Sequence, residues 1–298
     1  MLYVPEEDLG WDQFVTTWLH TKLLDGGATS DIRNLFKELF AGYFEKALDY
    51  MHKNCKEFIP TMSINYSATF CALIDSLLLK DNHVLQIESA EERLAGLSKI
   101  FAFSMAWAVG GNITEDYKED FSDFFRELMT PVVAFPGKGI VLDYYLQAKK
   151  ESVDIMSWVN AVPEYKHNKT LSYSNILVPT VDTVRFAYLL EILIDVDRPV
   201  LFNGTTGVGK SVIISDSLAA LAEPKSLDHF SINFSAQTQA LDTQLLIESK
   251  LEKKRKTRLG APVNKRMVIM VDDINMPAKE TYGAQPPVEL LRFFIDGK

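Results

Sequence analysis

The segment Leu201-Phe202-Asn203-Gly204-Thr205-Thr206-Gly207-Val208-Gly209-Lys210-Ser211-Val212 constrains this chain more than any other. Gly204, four residues, and then Gly209-Lys210-Ser211 complete the G-x-x-x-x-G-K-[ST] pattern of a phosphate-binding loop. Its flanks suit that chemistry. Arg198-Pro199 introduces the apolar run Val200-Leu201-Phe202, which reads as a buried strand spanning 199–203, and Ser211 to Leu221 is apolar at helical spacing. Strand, glycine loop and helix point several backbone N–H groups and a helix N-terminus at one phosphate chain. Gly204, Gly207 and Gly209 let the backbone of Thr205, Thr206 and Val208 turn tightly and approach the phosphates. Lys210 is expected to reach the β- and γ-phosphates, and the Ser211 hydroxyl to ligate Mg²⁺. The ligand these residues imply is ATP or ADP with Mg²⁺.

A second element answers the first. Met267-Val268-Ile269-Met270-Val271-Asp272-Asp273 is a hydrophobic strand ending in two carboxylates, the Walker B pattern that holds Mg²⁺ beside the γ-phosphate. Asp272 is expected to orient the metal, directly or through water. Asp273 stands where many ATPases keep a glutamate that aligns the attacking water. It is one methylene shorter, and positioning is most of the catalysis in phosphoryl transfer. Nucleotide binding is therefore expected, and fast hydrolysis is not.

Composition narrows the remaining classes. A chain of 298 residues has room for about two domains with a sizeable core. The net charge of -9 argues against a general nucleic-acid binder. Cys55 and Cys71 have no metal-ligand spacing around them and read as free thiols of a reducing compartment. The N-terminus carries Glu6, Glu7 and Asp8 and no basic segment, unlike a signal peptide. The longest strongly apolar stretch, Ile100 to Val109, is too short to span a bilayer. The expectation is an intracellular chain with no membrane and no nucleic acid among its partners.

Along the chain, a short helix after Asp8 and a break at Gly26-Gly27 precede a sharper pattern. Ile32, Leu35, Phe36, Leu39, Phe40, Tyr43, Phe44, Ala47, Leu48 and Met51 form one apolar stripe on a long helix, with Ser30 or Asp31 as candidate cap. Further helices fit Ser67 to Lys80, Glu88 to Val109 and Glu115 to Met129, so residues 1–130 read as a helical bundle. Residues 131–175 read as a connector, with Ile140 to Leu146 and Ser157 to Val159 as short strands and Glu164 to Lys169 as a solvated loop. The second domain, 176–298, opens on the extended segment Ile176-Leu177-Val178-Pro179-Thr180, and Thr180 caps a helix through Val181, Val184, Tyr188 and Leu189. After the phosphate loop, His229 to Phe234 alternates as a strand and Gln239 to Leu251 reads as a helix. The basic block Lys253-Lys254-Arg255-Lys256 reads as a solvated helix end and loop, with contact to an acidic neighbour as the alternative.

The stretch from Val271-Asp272-Asp273-Ile274-Asn275-Met276-Pro277 through Tyr282-Gly283-Ala284-Gln285-Pro286-Pro287-Val288-Glu289-Leu290-Leu291-Arg292 closely resembles dynein heavy chains. It is similar to the third AAA+ module of the motor ring, in a form that looks axonemal. Phe234-Ser235-Ala236-Gln237-Thr238 and Ile176 to Thr180 fit the same module, and Leu2-Tyr3-Val4 to Trp11 resembles the stretch following the second module's core. The resemblance implies an α-helical AAA+ lid, residues 30–130, followed by an α/β P-loop AAA+ domain that is incomplete at its C-terminus. It also implies that Val178, Pro179 and Thr180 lie against the adenine ring, and that the site is regulatory. Neighbouring AAA+ modules, dynein intermediate and light chains, and microtubules are the implied partners, in the cytoplasm, cytoskeleton and ciliary axoneme. The strand that would lie between the phosphate-loop strand and the Asp272 strand is expected beyond Lys298. A gap in the sheet, and poor folding of the C-terminal half in isolation, are expected from that. Two other readings remain open on the residues: a stand-alone P-loop ATPase or phosphotransferase with a helical domain, and a scaffold whose loop no longer binds nucleotide.

Overall fold

The computed structural model describes residues 10–25, 30–80, 83–165, 178–256 and 258–297. Residues 1–9, the break expected at Gly26-Gly27, and Ile176-Leu177 lie outside them. Contacts divide the chain into two compact units, Met1–Asn203 and Gly204–Lys298.

The first unit runs α1 (Trp11–Asp25), α2 (Ser30–Leu39), a π-helical turn (Phe40–Phe44), α3 (Glu45–Asn54), α4 (Ser63–Lys80), the single turn α5 (His83–Gln86), α6 (Ala90–Gly110) and α7 (Lys118–Met129). A hairpin of β1 (Tyr144–Ala148) and β2 (Val153–Ser157) and then α8 (Val181–Asp195) complete it. Ser89 starts α6 by accepting the Glu92 N–H at 3.3 Å, and Glu91 and Glu92 sit where the helix dipole favours negative charge. From Gly96 onward every residue to Trp107, Lys99 excepted, is apolar, glycine or serine, and almost all are buried, so α6 is the central post of the bundle. Phe101 on α6 meets Phe70 at 4.9 Å and Phe40 at 5.2 Å between ring centroids, and Phe40 meets Phe70 at 4.7 Å. Burying each such ring stabilises the fold by about 1.5–3 kcal/mol. At the rim of that cluster the Trp18 indole N–H donates to Asp75 Oδ1 at 2.9 Å.

The long helix expected from Ser30 to Met51 is interrupted by the wider turn at Phe40–Phe44. Buried Phe36, Phe40, Phe44 and Leu48 recur every fourth residue. In a regular α-helix that spacing drifts about 40° per step around the axis. One wider turn takes up the drift and keeps the rings on one face.

The connector expected over 131–175 also packs differently. Val141, Leu142, Leu146, Val153 and Trp158 are buried in the same core as the helices. The strand expected at Ser157–Val159 is instead a short 3₁₀ turn, Trp158–Ala161, with the Ser157 hydroxyl accepting the Val159 N–H at 3.3 Å. Thr180 caps α8 as expected, its hydroxyl accepting the Thr183 N–H at 3.2 Å. Leu189, Ile192 and Leu193 on α8 then join the helical core. The division near 176 followed motifs; contacts divide the chain after Asn203 because α8 buries its stripe among the helices. The strand expected at 199–203 is not formed: those residues belong to no helix or strand, with Phe202 against Phe186 at 6.0 Å and Leu201 62% exposed. An apolar run becomes a strand only where another strand pairs with it.

The second unit contains α9 (Lys210–Ala222), β3 (Leu227–Asn233), α10 (Ala240–Lys250), β4 (Glu252–Arg255), β5 (Arg258–Gly260), β6 (Arg266–Asp272) and α11 (Pro286–Asp296). β3 and β6 pair in parallel, from Leu227 opposite Arg266 to Asn233 opposite Asp272. Their core is Ile232, Phe234 and Ile247, with Ile269, Val271 and Leu291 packed against it. The basic block is not a loop after all. It forms most of β4 in the antiparallel hairpin β4–β5, exposed along β4, with Arg255 directly opposite Arg258. Among the described residues no helix is long and apolar enough to cross a membrane.

Candidate nucleotide-binding site

The phosphate loop enters α9 through Gly209, which is left-handed at φ 81° and ψ 14°; Gly207 has φ 87° and Gly204 φ 150°. A Cβ at Gly207 or Gly209 would touch nothing within 4 Å. Glycine is therefore needed there for its backbone conformation and not for want of room. The Lys210 ammonium reaches back across the loop and donates to the carbonyls of Gly204 at 3.0 Å and Thr205 at 2.8 Å. Thr205, Thr206, Gly207 and Val208 are exposed, and Ser211 is half-buried in the first turn of α9. The N–H groups of that turn have no partner within the helix. A cationic group and the unpartnered N–H groups of a helix start behind an exposed glycine loop fit a polyphosphate.

The second carboxylate-bearing element arrives at the same end of the unit. A tight turn over 223–226 joins α9 to β3 and the two pack together, so α9 runs antiparallel to β3 and to its parallel partner β6. The Ser215 hydroxyl on α9 lies 3.5 Å from Met270 Sδ on β6, and the Ser231 hydroxyl on β3 lies 3.7 Å from the same sulfur. Ser211 is four residues before Ser215, about 6 Å of helix rise. Asp272 is two residues beyond Met270, about 6.6 Å of strand, in the same direction. Ser211 and Asp272 thus stand level with each other at one end of the sheet. Neither Ser215 nor Met270 was singled out by the sequence; their contact is long-range and has no local signature.

Asp272 closes the ladder, its carbonyl accepting the Phe234 N–H at 3.0 Å. Its carboxylate Oδ1 accepts the N–H of Asp273 at 3.0 Å. Asp273 is exposed and left-handed at φ 54°, and its carbonyl accepts the Met276 N–H at 2.9 Å. The chain beyond is tied down by a residue that spacing could not single out: Gln285 donates its amide to the carbonyls of Asn275 at 3.1 Å and Pro277 at 2.6 Å. Val178, Pro179 and Thr180 belong to the first unit, where the Thr180 hydroxyl is engaged in capping α8. Among the described residues no group of three or more His, Cys, Asp and Glu could hold a metal ion unaided. Ser211 and Asp272 could hold Mg²⁺ only together with oxygens of the nucleotide.

Fold and loop together define a P-loop unit of the AAA+ kind preceded by a helical lid. A family model described as the P-loop containing dynein motor region matches residues 165–298, and one described as the dynein heavy chain AAA lid domain matches residues 36–159. Human dynein axonemal heavy chain 6 is 40% identical over 299 residues, covering 99% of this chain and 7% of that protein. Human dynein axonemal heavy chain 3 is 33% identical over 320 residues, with 99% and 8% covered. The Chlamydomonas reinhardtii dynein-1-beta heavy chain of the flagellar inner arm I1 complex is 32% identical over 326 residues, with 99% and 7% covered. This chain belongs to the dynein heavy-chain family, and these relatives are axonemal and flagellar members. It spans 7–8% of the length of these relatives.

Proposed function

We propose that this chain supplies a regulatory ATP- or ADP-binding site to a dynein motor ring that serves microtubule-based ciliary movement. In this reading residues 1–130 are the lid of the second AAA+ module, 131–175 a connector, and 176–298 the N-terminal part of the third. The observation that carries it is the level placement of Ser211 and Asp272, joined by the Ser215–Met270 contact, beside an exposed glycine loop with left-handed steps at Gly207 and Gly209.

Gly204 to Gly209 would cradle the phosphates through backbone N–H groups, and Lys210 would exchange its two loop carbonyls for phosphate oxygens. Ser211 and Asp272 would hold Mg²⁺, which supplies charge neutralisation between the phosphates when bound. Val178, Pro179 and Thr180 would lie against the adenine. Asp273 would orient water, but it is short and sits in an exposed left-handed turn. A group held so far from a dry, preorganised position suits slow turnover. The nucleotide then acts as a bias between packings of neighbouring modules rather than as the main source of work. Those modules, the intermediate and light chains, and the microtubule are partners of the whole motor, at the cytoskeleton of the ciliary axoneme.

Calorimetric titration of ATP, ADP and AMP, each with and without Mg²⁺, tests the reading. ATP and ADP should bind and AMP far more weakly, and Mg²⁺ should tighten the first two. Asp272→Asn should abolish that tightening, a loss of about tenfold for one charge-assisted contact. Equal binding of AMP and ADP, or affinity indifferent to Mg²⁺, would contradict it.

A further inference from the structure

Resting on that reading of Asp272 and Asp273, we propose that Gln285 is the positioning residue of this carboxylate pair. Its side-chain amide fixes the turn in which Asp273 sits.

Apart from Ile274, which packs on the core of Ile232, Phe234 and Ile247, and a backbone turn joining Glu280, Gly283 and Ala284, the loop after β6 is held by few contacts. Asp273 opens it in a left-handed conformation that only a few non-glycine residues tolerate. The turn Asp273–Met276 is closed by one backbone hydrogen bond, from Met276 N–H to the Asp273 carbonyl. Asn275 and Met276 are exposed, and Tyr282 further on is 98% exposed. Within this open loop both carbonyls flanking Met276, those of Asn275 and Pro277, accept from the single amide of Gln285. Pro277 is buried, so its carbonyl cannot rely on bulk water as an exposed one would.

Gln285 is available for this because of its neighbours. It is the N-cap of α11, a position whose side chain ordinarily accepts from the first-turn N–H groups. Here the next two residues are Pro286 and Pro287, which have no N–H to satisfy. The Gln285 backbone carbonyl already accepts from Val288 at 2.9 Å and Glu289 at 3.0 Å. The helix start needs nothing from the side chain, which turns back to the loop. Its anchorage is firm, because Val288 and Leu291 of α11 pack on the core of Ile232, Phe234 and Ile247. Phe234 is also the residue whose N–H completes the ladder at Asp272. One end of the clamp is therefore seated on the core beneath the carboxylates, and the other grips the turn that carries Asp273.

Gln285→Glu keeps the size and removes both donated hydrogen bonds, and Gln285→Met removes them without adding charge. Two readouts on the 298-residue chain decide the matter. In the absence of nucleotide, amide hydrogen exchange at Asp273 and Met276 should rise about tenfold in both variants, while amides of the β3–β6 ladder keep their protection. With nucleotide, the Mg²⁺-dependent gain in affinity should fall several-fold while metal-free affinity stays within about twofold, a split that general unfolding does not produce. Unchanged exchange at Asp273 and Met276 overturns the proposal, as does an effect seen only for Gln285→Glu, which would be charge repulsion. An equal fall in metal-free and Mg²⁺-bound affinity overturns it too, as a purely structural effect. Should the unmodified chain bind no nucleotide, the functional reading fails while the exchange experiment still decides the clamp.

Discussion

Gly42→Ala and Gly209→Ala add the same methyl group, in both cases to open space, yet opposite outcomes are expected. An added Cβ meets no atom within 4 Å at either position. Packing therefore cancels and only backbone conformation remains. Gly42 lies in the helical turn Phe40–Phe44, where alanine is favoured over glycine by about 1 kcal/mol. Gly209 is left-handed at φ 81°, where an L-residue is penalised by about 1–2 kcal/mol. The lowered entropy of the unfolded chain offsets about 0.4–1 kcal/mol of that. Gly42→Ala should stabilise its unit by about 1 kcal/mol, and Gly209→Ala should destabilise its own by up to about 1.6 kcal/mol. The two units can be read separately. Trp11, Trp18, Trp107 and Trp158 all lie in the first, so tryptophan fluorescence in urea follows Gly42→Ala. Amide exchange along β3 and β6 follows Gly209→Ala. A Gly209→Ala that stabilises its unit as Gly42→Ala does would mean that the loop does not need its left-handed step, and the phosphate cradle would lose its structural basis.

Other outcomes follow from the same description. Phe101→Ala empties a fully buried ring site facing Phe70, Phe40 and Phe36 and should cost about 3–5 kcal/mol by urea unfolding, against which a loss under about 1.5 kcal/mol would count. Asp154 is held below the ordinary carboxylate range first by the hydrogen bond from Lys149 and then, against burial, by the charges of Lys149 and Lys99. A lowered acid stabilises above its unfolded pKa of about 3.9 and loses that contribution as pH falls through the folded value. Lys149→Ala should therefore flatten the acid limb of the stability profile, slightly because the pair is largely exposed, and an unchanged limb would contradict the assignment. Exchange protection in the second unit, built on a sheet of two strands among the described residues, should vanish at lower urea than the tryptophan transition of the first; coincident transitions would show one cooperative fold instead.

What could be read from the chain was what local pattern encodes. The phosphate loop, the strand ending at Asp272 and the Thr180 cap follow from residue types at fixed short spacings, and the structure places each on the expected element. The wide turn at Phe40–Phe44 was hidden because a stripe at every fourth residue fits a helix with or without one extra residue in a turn. The basic hairpin was hidden because Lys253 to Lys256 carry no alternation of apolar and polar side chains, so nothing in them signals a strand. Val200-Leu201-Phe202 misled in the other direction. Their composition is that of a buried strand, but pairing is supplied by another part of the chain. Gln285 and the Ser215–Met270 contact depend on partners far away in sequence, and only the fold makes them visible.

The central claim is that Gly204 to Ser211 and Asp272 form one nucleotide site. Its most direct test is equilibrium titration of a fluorescent ATP analogue with Mg²⁺ into the unmodified chain and into Lys210→Ala. Saturable binding that unlabelled ATP displaces, weakened at least about a hundredfold by Lys210→Ala, is the expected result, since a charged donor to phosphate contributes about 1.5–3 kcal/mol per hydrogen bond. Binding of equal strength in the two proteins, or in neither, would contradict the account.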